Sequence, residues 1–305
     1  MGILVVGSFM MDLVVQTPRV PHTGETVIGD SFAIFPGGKG ANQAVAASRL
    51  GGSVALAGKL GTDYFGKEML RALKQENIDL TNVRFDRRSS TGIGSILLDR
   101  IGDNRIVVVP GANLLFDVAD VNSLEPLIAS SGLVVLQLEL TSQVVEQAIF
   151  LAHSHKVPVL LNPAPAKPLS DDLLRIITYL TPNETELAAL TGLVVKSIAD
   201  VEIAARTLLA KGVKHVIVTL AERGAMIVDA DGSKHLQGYS VDPVDTVAAG
   251  DSFNGALSVQ ILRGVPLANA VHYANAVGAL TVLKKGAIPS LPYASEVDAF
   301  ISQHA

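Results

Sequence analysis

The chain contains no cysteine and no tryptophan among its 305 residues. The first absence excludes disulfides, thiolate nucleophiles and cysteine-bearing zinc sites, while by itself saying little about compartment. The second, with an aromatic content of only 5%, leaves little from which to build a stacking platform for nucleobases or long glycans. A basic excess is also missing. The 24 Lys and Arg stand against 29 Asp and Glu, a net charge of −5, which argues against nucleic acid as a partner. No apolar run is long enough to cross a bilayer. The opening MGILVVGSFMMDLVV carries no basic leader and reads as a buried strand, so the expected location is the cytoplasm, with no membrane partner. The seven histidines show no metal spacing: His153 and His155 are two apart near a predicted helix end and face different ways.

What the chain does have is core-forming material, with 49% hydrophobic residues. Its length fits two domains or one large α/β domain with a smaller appendage. Short apolar runs alternate with helical periodicity, the pattern of a parallel sheet covered by helices on both faces. Ile3–Gly7, Val54–Gly58, Leu133–Leu138, Val159–Leu161 and His215–Leu220 read as buried strands. Helices are predicted at Ala41–Leu50, Phe65–Gln75, Ser142–His155, Val201–Lys211, Asp251–Arg263 and Leu267–Leu283. Two stretches break the alternation. Asp12–Phe35 holds Leu13-Val14-Val15 and Thr26-Val27-Ile28 around a Pro/Gly turn, and Gly92–Val109 is a hairpin pattern turning at Gly102-Asp103-Asn104. Together they predict a small sheet outside the main one.

The most informative segment is Asp245-Thr246-Val247-Ala248-Ala249-Gly250-Asp251-Ser252-Phe253-Asn254-Gly255. Ala248, Ala249 and Gly250 carry almost no side chain, so an anion can reach their N–H groups. The helix that follows adds its own unpaired N–H groups and the positive end of its dipole. An aspartate at such a place commonly serves only as a cap. A cap, however, requires neither the small-residue run nor a second aspartate, Asp245, upstream. A carboxylate beside a phosphate is repelled unless it has a chemical task, and the natural task is to take the proton of a hydroxyl that attacks phosphorus.

Gly37-Gly38-Lys39-Gly40-Ala41-Asn42-Gln43 opens the first long helix and lacks the spacing of a nucleotide P-loop. Its donors Lys39, Asn42 and Gln43, on a turn with unshielded backbone, suit the hydroxyls of a small polyol. Asp12 and Glu139 each follow an apolar run and read, on their own, as solvated ends of strands. Asn183 and Glu186 have the spacing of a capping box at a helix start. Asn162-Pro163-Ala164-Pro165-Ala166 is a stiff loop at the carboxyl end of a strand, where open α/β sheets place their sites.

Seven segments in order carry a resemblance: GSFMMD at Gly7–Asp12, GGKGANQA at Gly37–Ala44, QLE at Gln137–Glu139, NPAPA at Asn162–Ala166, PNETE at Pro182–Glu186, TLAERG at Thr219–Gly224 and DTVAAGDSFNGAL at Asp245–Leu257. The chain resembles the ribokinase family of carbohydrate kinases. The resemblance implies an α/β, ribokinase-like three-layer fold, with a mostly parallel central sheet flanked by helices and a small β-sheet lid. It implies a single kinase domain over residues 1–305, with the lid formed by 12–36 and 92–109, and a homodimer made through the lid. The implied reaction is ATP-dependent phosphorylation of D-ribose at the 5-hydroxyl. The alternatives are 2-deoxyribose or another sugar as acceptor, or a sugar-binding sensor without catalysis.

Residue by residue, the resemblance implies that Asp251 is the catalytic base, with Ala248, Ala249 and Gly250 forming the anion hole. The sugar falls to Met10, Asp12, Gly38, Lys39, Gly40, Asn42, Glu139 and Asp251. ATP falls to Asn183, Thr219, Ala221, Gly224, Gly250 and Asn275, and Mg²⁺ to Asn183 and Glu186 through water. An activating K⁺ falls to Asp245, Val247, Thr281, Lys284, Gly286 and Ser290. Two positions depart from the pattern. Ala221 stands where glycine is usual, a mild change provided the backbone there does not need positive φ. Met10 stands where many members carry asparagine, and a thioether offers a sugar hydroxyl only a weak acceptor and no donor. If Met10 faces C2 of the sugar, 2-deoxyribose becomes a good substrate.

Overall fold

The computed structural model describes residues 1–100 and 103–304. Its strands are β1 (Ile3–Val6), β2 (Met10–Gln16), β3 (Ser31–Gly37), β4 (Val54–Gly61), β5 (Ile78–Asp79), β6 (Val83–Asp86), β7 (Ile93–Leu98), β8 (Asn104–Val109), β9 (Leu133–Gln137), β10 (Val159–Asn162), β11 (Tyr179–Leu180), β12 (His215–Thr219), β13 (Ala225–Asp229) and β14 (Gly232–Leu236). Its helices are α1 (Lys39–Arg49), α2 (Tyr64–Leu73), α3 (Val118–Asn122), α4 (Glu125–Ser130), α5 (Ser142–Ser154), α6 (Asp171–Leu174), α7 (Glu184–Thr191), α8 (Ile198–Ala210), α9 (Ala249–Leu262), α10 (Leu267–Thr281) and α11 (Ala294–Gln303).

Ten strands form the large sheet in the order β14-β13-β12-β11-β10-β9-β1-β4-β5, with β6 also against β4. It is parallel from β12 to β5, and β13 and β14 close one edge antiparallel. Alternation along each strand feeds two cores. Ile3 and Val5 of β1 enter a core shared with α1, α9 and α10, whereas Leu4 and Val6 enter the opposite core, shared with α5 and α8. Burial on both faces is why these strands read as continuous apolar runs rather than alternating ones. The predicted three-layer α/β arrangement is the one observed.

The second sheet has the order β3-β2-β7-β8, with β2 parallel to β7 and antiparallel to β3. One expectation fails here. Thr26-Val27-Ile28 forms no strand, and Ile28 is 87% exposed; the partner of β2 is Ser31–Gly37 instead. The β-branched residues of the earlier run have no covered surface to pack against, and propensity without packing does not make a strand. The hairpin of β7 and β8 is present, Ile93 pairing with Val109. Of its predicted turn, Gly102 lies outside the described residues. Asp12 is also relocated: it sits inside β2, between Phe35 of β3 and Gly94 of β7, not at the carboxyl end of a strand.

β1 lies between β4 and β9, so the chain runs outward from it in both directions, and the carboxyl edge at such a switch point is a natural ligand crevice. α1 and α9 both begin near this edge and pack on each other. Gly255 makes their approach possible, because a Cβ there would lie 2.6 Å from Ala46 Cβ and 2.9 Å from both the Gln43 carbonyl and Ala47 N. Two of those atoms are backbone and cannot swing aside. In a free helix Gly255→Ala would gain about 1 kcal/mol, but overpacking against backbone costs about 1–3 kcal/mol. The expected net result is a lower midpoint in chemical denaturation with an unchanged slope. A variant as stable as the parent would show that the helices are not in contact here.

Candidate active site

The site grows from the turn between β1 and β2. Gly38, the residue before α1, has φ 90°, and a Cβ on it would lie 2.6 Å from Met10 N. One on Gly40 would lie 2.5 Å from Ser8 N. These two glycines let the first turn of α1 rest on the backbone of residues 7–10. Glu139, just beyond β9, is fixed there: Ser8 Oγ donates to its Oε2, and Lys39 N donates to the same oxygen at 3.0 Å.

Asp251 lies in the first turn of α9 and is only 6% exposed. Asn42 Nδ2 donates to its Oδ2 at 2.9 Å, and Gln43 Nε2 donates to its Oδ1 at 3.0 Å. Each carboxylate oxygen is thus anchored once and keeps a lone pair for another proton. The helix starts at Ala249, two residues earlier than predicted, and is preceded by Ala248 in the left-handed conformation with φ 63°. A left-handed residue followed by helical ones turns successive N–H groups to one side, which makes a concave anion nest. A Cβ on Gly250 would meet nothing within 4 Å, so the space beside this turn is open.

Charge gathers around the same point. Asp251, followed by Glu139 and Glu186, holds the Lys39 ammonium above its usual range against the opposing effect of burial. Asp12 is pushed up to about 6, chiefly by burial and then by Glu139, Asp251 and Asp245. Its carboxylate fits because a glycine stands beside it on each side: Gly94, its partner on β7, and Gly37, two residues beyond its partner Phe35 on β3. A Cβ on Gly94 would lie 2.6 Å from Asp12 Oδ1, and one on Gly37 would lie 3.1 Å from Oδ2. Met10 and Asp12 are two apart in β2 and therefore share a face.

The predicted nucleotide residues lie along the next strands. Asn183 bridges to Thr219 at the end of β12. Asn183 and Glu186 form the expected capping box, Glu186 N donating to Asn183 Oδ1 at 2.8 Å and Asn183 N to Glu186 Oε2 at 2.9 Å. Burial raises the Glu186 pKa, and the Asn183 N–H and Lys39 oppose that rise. Ala221 has φ 52°, so the condition under which its replacement of glycine would be mild is not met; the position is strained. Gly224, at φ 88°, touches the chain after β14 so closely that a Cβ would lie 2.1 Å from the Leu236 carbonyl. Asn275 Nδ2 donates to the carbonyls of Leu236 and Gln237, tying α10 to that same segment.

Asp245 spans two loops: its Oδ1 accepts from Val247 N at 3.0 Å and its Oδ2 from Gly286 N at 2.9 Å. The side chains of the other residues predicted beside it are engaged elsewhere. Thr281 Oγ1 lies 2.8 Å from both Ser252 Oγ and the Val277 carbonyl, Ser290 Oγ donates to the Ala287 carbonyl, and Lys284 Nζ pairs with Glu296 at 2.7 Å. What these residues can offer an ion is main-chain oxygen. A carboxylate with hard carbonyl donors suits a large monovalent cation better than a transition metal. Among the described residues no His, Asp and Glu cluster has metal-binding geometry.

Sequence reasoning missed how the polar residues pair. Gln43 was read only as a sugar donor, although it holds Asp251, and Ser8 escaped notice beneath Glu139. Partners separated by more than 100 positions leave no local signal.

A buried carboxylate anchored at the start of α9, with the polar side chains of α1 and the carboxylates of Asp12 and Glu139 around it, is an arrangement suited to a kinase for small alcohols. Residues 2–294 match the model of the pfkB family of carbohydrate kinases. The ribokinase of Schizosaccharomyces pombe is 42% identical over 307 residues, covering 97% of this chain and 96% of that one. The deoxyribokinase of Salmonella typhimurium is 35% identical over 303 residues, covering 99% of each. Among solved structures, Arabidopsis thaliana ribokinase complexed with ribose and ATP superposes with a TM-score of 0.92 at 31% identity, covering 98% of each chain. The protein belongs to the pfkB family and is a carbohydrate kinase.

Burying Asp12 carries a stability cost whose sign can be worked out. The unfolded chain releases this proton near pH 4, whereas the folded protein holds it until about pH 6. The stabilising effect of the protonated form is complete below about pH 4 and is lost as the pH rises through about 6. Asp12→Asn, which stays neutral, should therefore be more stable than the parent by about 1–3 kcal/mol at pH 7.5. The gain should shrink toward zero near pH 4 in paired urea titrations. An equal difference at both pH values would contradict the assignment.

Proposed function

We propose that the protein transfers the γ-phosphoryl group of ATP to the 5-hydroxyl of D-ribose, giving D-ribose 5-phosphate and ADP. The observation that carries this reading is the buried Asp251 carboxylate, anchored by Asn42 and Gln43 in the first turn of α9 beside an open anion nest. The identity to curated ribokinases over nearly the whole chain supports ribose as acceptor.

In this reading, Asp12, Gly38, Lys39, Gly40, Asn42 and Glu139 hold the sugar, with Met10 beside it. Asp251 takes the proton of the 5-hydroxyl as the oxygen attacks. The N–H groups of Ala248, Ala249, Gly250 and Asp251 hold the charge that accumulates on the phosphoryl oxygens, and Lys39 adds a positive charge close by. Asn183, Thr219, Ala221, Gly224, Gly250 and Asn275 line the nucleotide. Asn183 and Glu186 would hold Mg²⁺ through water, which fits the electrostatic reach of Glu186 to Lys39 and Asp251. The ion supplies charge neutralisation on the phosphates. The Asp245 carboxylate and the carbonyls of the Val247 and Thr281–Ser290 loops would hold K⁺, which stiffens the loop leading into α9.

The second sheet is the lid, contributed by residues 12–36 and 92–109 of a single kinase domain, and its closure keeps water from competing as acceptor. Its outer strands expose Phe32, Ile106, Val107, Val108 and Val109. The apolar run Ile106–Val109 lies along the β8 edge, opposite Phe32 on the β3 edge, and an apolar edge such as β8 is covered when two copies pair, which supports a homodimer through the lid. ATP as co-substrate supports a cytoplasmic enzyme; among the described residues no helix is long and apolar enough to cross a membrane.

One observation favours a second acceptor. Met10 is 6% exposed and lies on the Asp12 face of β2; its thioether gives a sugar hydroxyl no donor, whereas a deoxy carbon packs against it freely. Leaving a hydroxyl without a partner costs about 1–3 kcal/mol. An ADP-release assay should show turnover with ribose and ATP, faster in K⁺ than in Na⁺ at equal ionic strength. Met10→Asn should raise the ratio of kcat/KM for ribose over 2-deoxyribose by about 5- to 150-fold. No ADP release with either sugar would reject the kinase reading, equal rates in the two salts would remove K⁺, and an unchanged ratio would remove Met10 from sugar selection.

A further inference from the structure

We infer that Gln43 is a positioning residue for the Asp251 carboxylate, its amide locked in one orientation by a buried polar ring that closes on the first turn of α9. The inference rests on the reading of Asp251 as the base. The ring can be followed atom by atom. Gln43 Nε2 donates to Asp251 Oδ1 at 3.0 Å and lies 3.2 Å from Asn162 Oδ1. Asn162 Nδ2 donates to the Thr181 carbonyl at 3.1 Å, and Thr181 Oγ1 donates to Asn254 Oδ1 at 2.6 Å. Asn254 Nδ2 donates to the Gly250 carbonyl at 2.7 Å, one residue from Asp251. All five of these side chains between strand ends and helix are buried.

The direction of the bonds at Gln43 follows from two groups that cannot reverse. The Thr181 main-chain oxygen accepts only, so Asn162 must present its nitrogen there and its oxygen to Gln43. Ionised Asp251 also accepts only. Both constraints require the Gln43 nitrogen to face Asn162 and Asp251, which turns the Gln43 oxygen the other way. There it accepts from Gln137 Nε2 at 2.7 Å. A flipped Gln43 amide would set oxygen against oxygen on one side and nitrogen against nitrogen on the other. The carboxylate is thus held against rotation by a donor that is itself held, from β9 by Gln137, from β10 by Asn162 and, through Asn162, from Thr181 just after β11. Asn42 Oδ1 is buried with no partner among the described residues, as is Gln137 Oε1; Asn42 therefore lacks the side-chain partners, Asn162 and Gln137, that fix the Gln43 amide from both sides.

A hydroxyl in flight to phosphorus needs its base within a few tenths of an ångström, and a misplaced group costs about 10²-fold in rate. Gln43→Met keeps length and removes the donor. It should lower kcat by about 10- to 100-fold while the dissociation constants for sugar and for nucleotide change by less than about 3-fold. In an Asp251→Ala background the same substitution should change kcat by less than about 2-fold, because there is no carboxylate left to position. Gln137→Met, which loosens the lock without touching Asp251, should give a smaller kcat loss in the parent and none in Asp251→Ala. This second variant decides the matter if Gln43→Met does not fold. Equal fold-losses in both backgrounds would make Gln43 and Gln137 merely structural and overturn the inference. Full turnover by Asp251→Ala alone would instead overturn the reading of the base beneath it.

Discussion

Two helices meeting at their N-termini under one carboxylate are the constraint on which the rest of this molecule depends. α1 and α9 can meet because their contact is made of glycine and alanine. Gly255 sits against Ala46 and the α1 backbone, and Gly40 sits against the backbone of residues 7 and 8. Only at that separation do Asn42 and Gln43, on the first turn of α1, reach Asp251 on the first turn of α9. The sheet sets the height at which this happens, since β1 delivers the chain to the second sheet and to α1 from the same edge. Gly40, which reads in sequence as part of a sugar-binding turn, is a packing device, whereas Gly250, which reads as part of an anion-binding run, faces open space. One residue type serves both purposes for one reason, the absence of a side chain.

Electrostatics show the site to be costly as well as ordered. Asp12, Glu139 and Asp251 lie close enough to affect one another, and Lys39 is the positive charge among them. Burial, and after it the neighbouring carboxylates Glu139, Asp251 and Asp245, disfavour the charged form of Asp12, which holds its proton to about pH 6. In the proposed reading a polyhydroxyl ligand would bring donors to these carboxylates, and a phosphoryl group the opposite demand, which the N–H groups of Ala248–Asp251 would meet. The two strained non-glycine backbones of this region, Ala221 and Ala248, both lie in loops leading into the cleft. Strain of this kind, about 1 kcal/mol or more per residue, persists where surrounding structure overdetermines it.

Much of this was legible in the sequence, for identifiable reasons. β1, β9, β10 and β12 are buried on both faces, so their apolar runs are unbroken and bounded by turn residues. α9 announces itself by Gly-Asp-Ser followed by a long apolar stretch. The capping box at Asn183 and Glu186 is local chemistry and appears where the spacing puts it. The failures share a cause too. β5 and β11 are two residues long and exist only through their neighbours. Thr26–Ile28 has the propensity of a strand but no surface to cover. Asp12 looked like a strand end because nothing local signals that β2 begins at Met10, which the pairing with β3 and β7 decides. The Asp245 clamp, the Ala221 backbone and the Gln43 ring are set by contacts between distant segments, which no window along the chain can display.

The central claim is that Asp251 does chemistry rather than capping a helix. The most direct measurement is single-turnover phosphoryl transfer from γ-labelled ATP to ribose by Asp251→Asn, which keeps the shape of the side chain and loses the base. Nucleotide affinity should be measured on the same preparation. The account predicts that labelled sugar phosphate forms about 10²–10⁴-fold more slowly while ATP binds within a few-fold of the parent. Transfer at the parental rate by a folded, ATP-binding Asp251→Asn protein would contradict it.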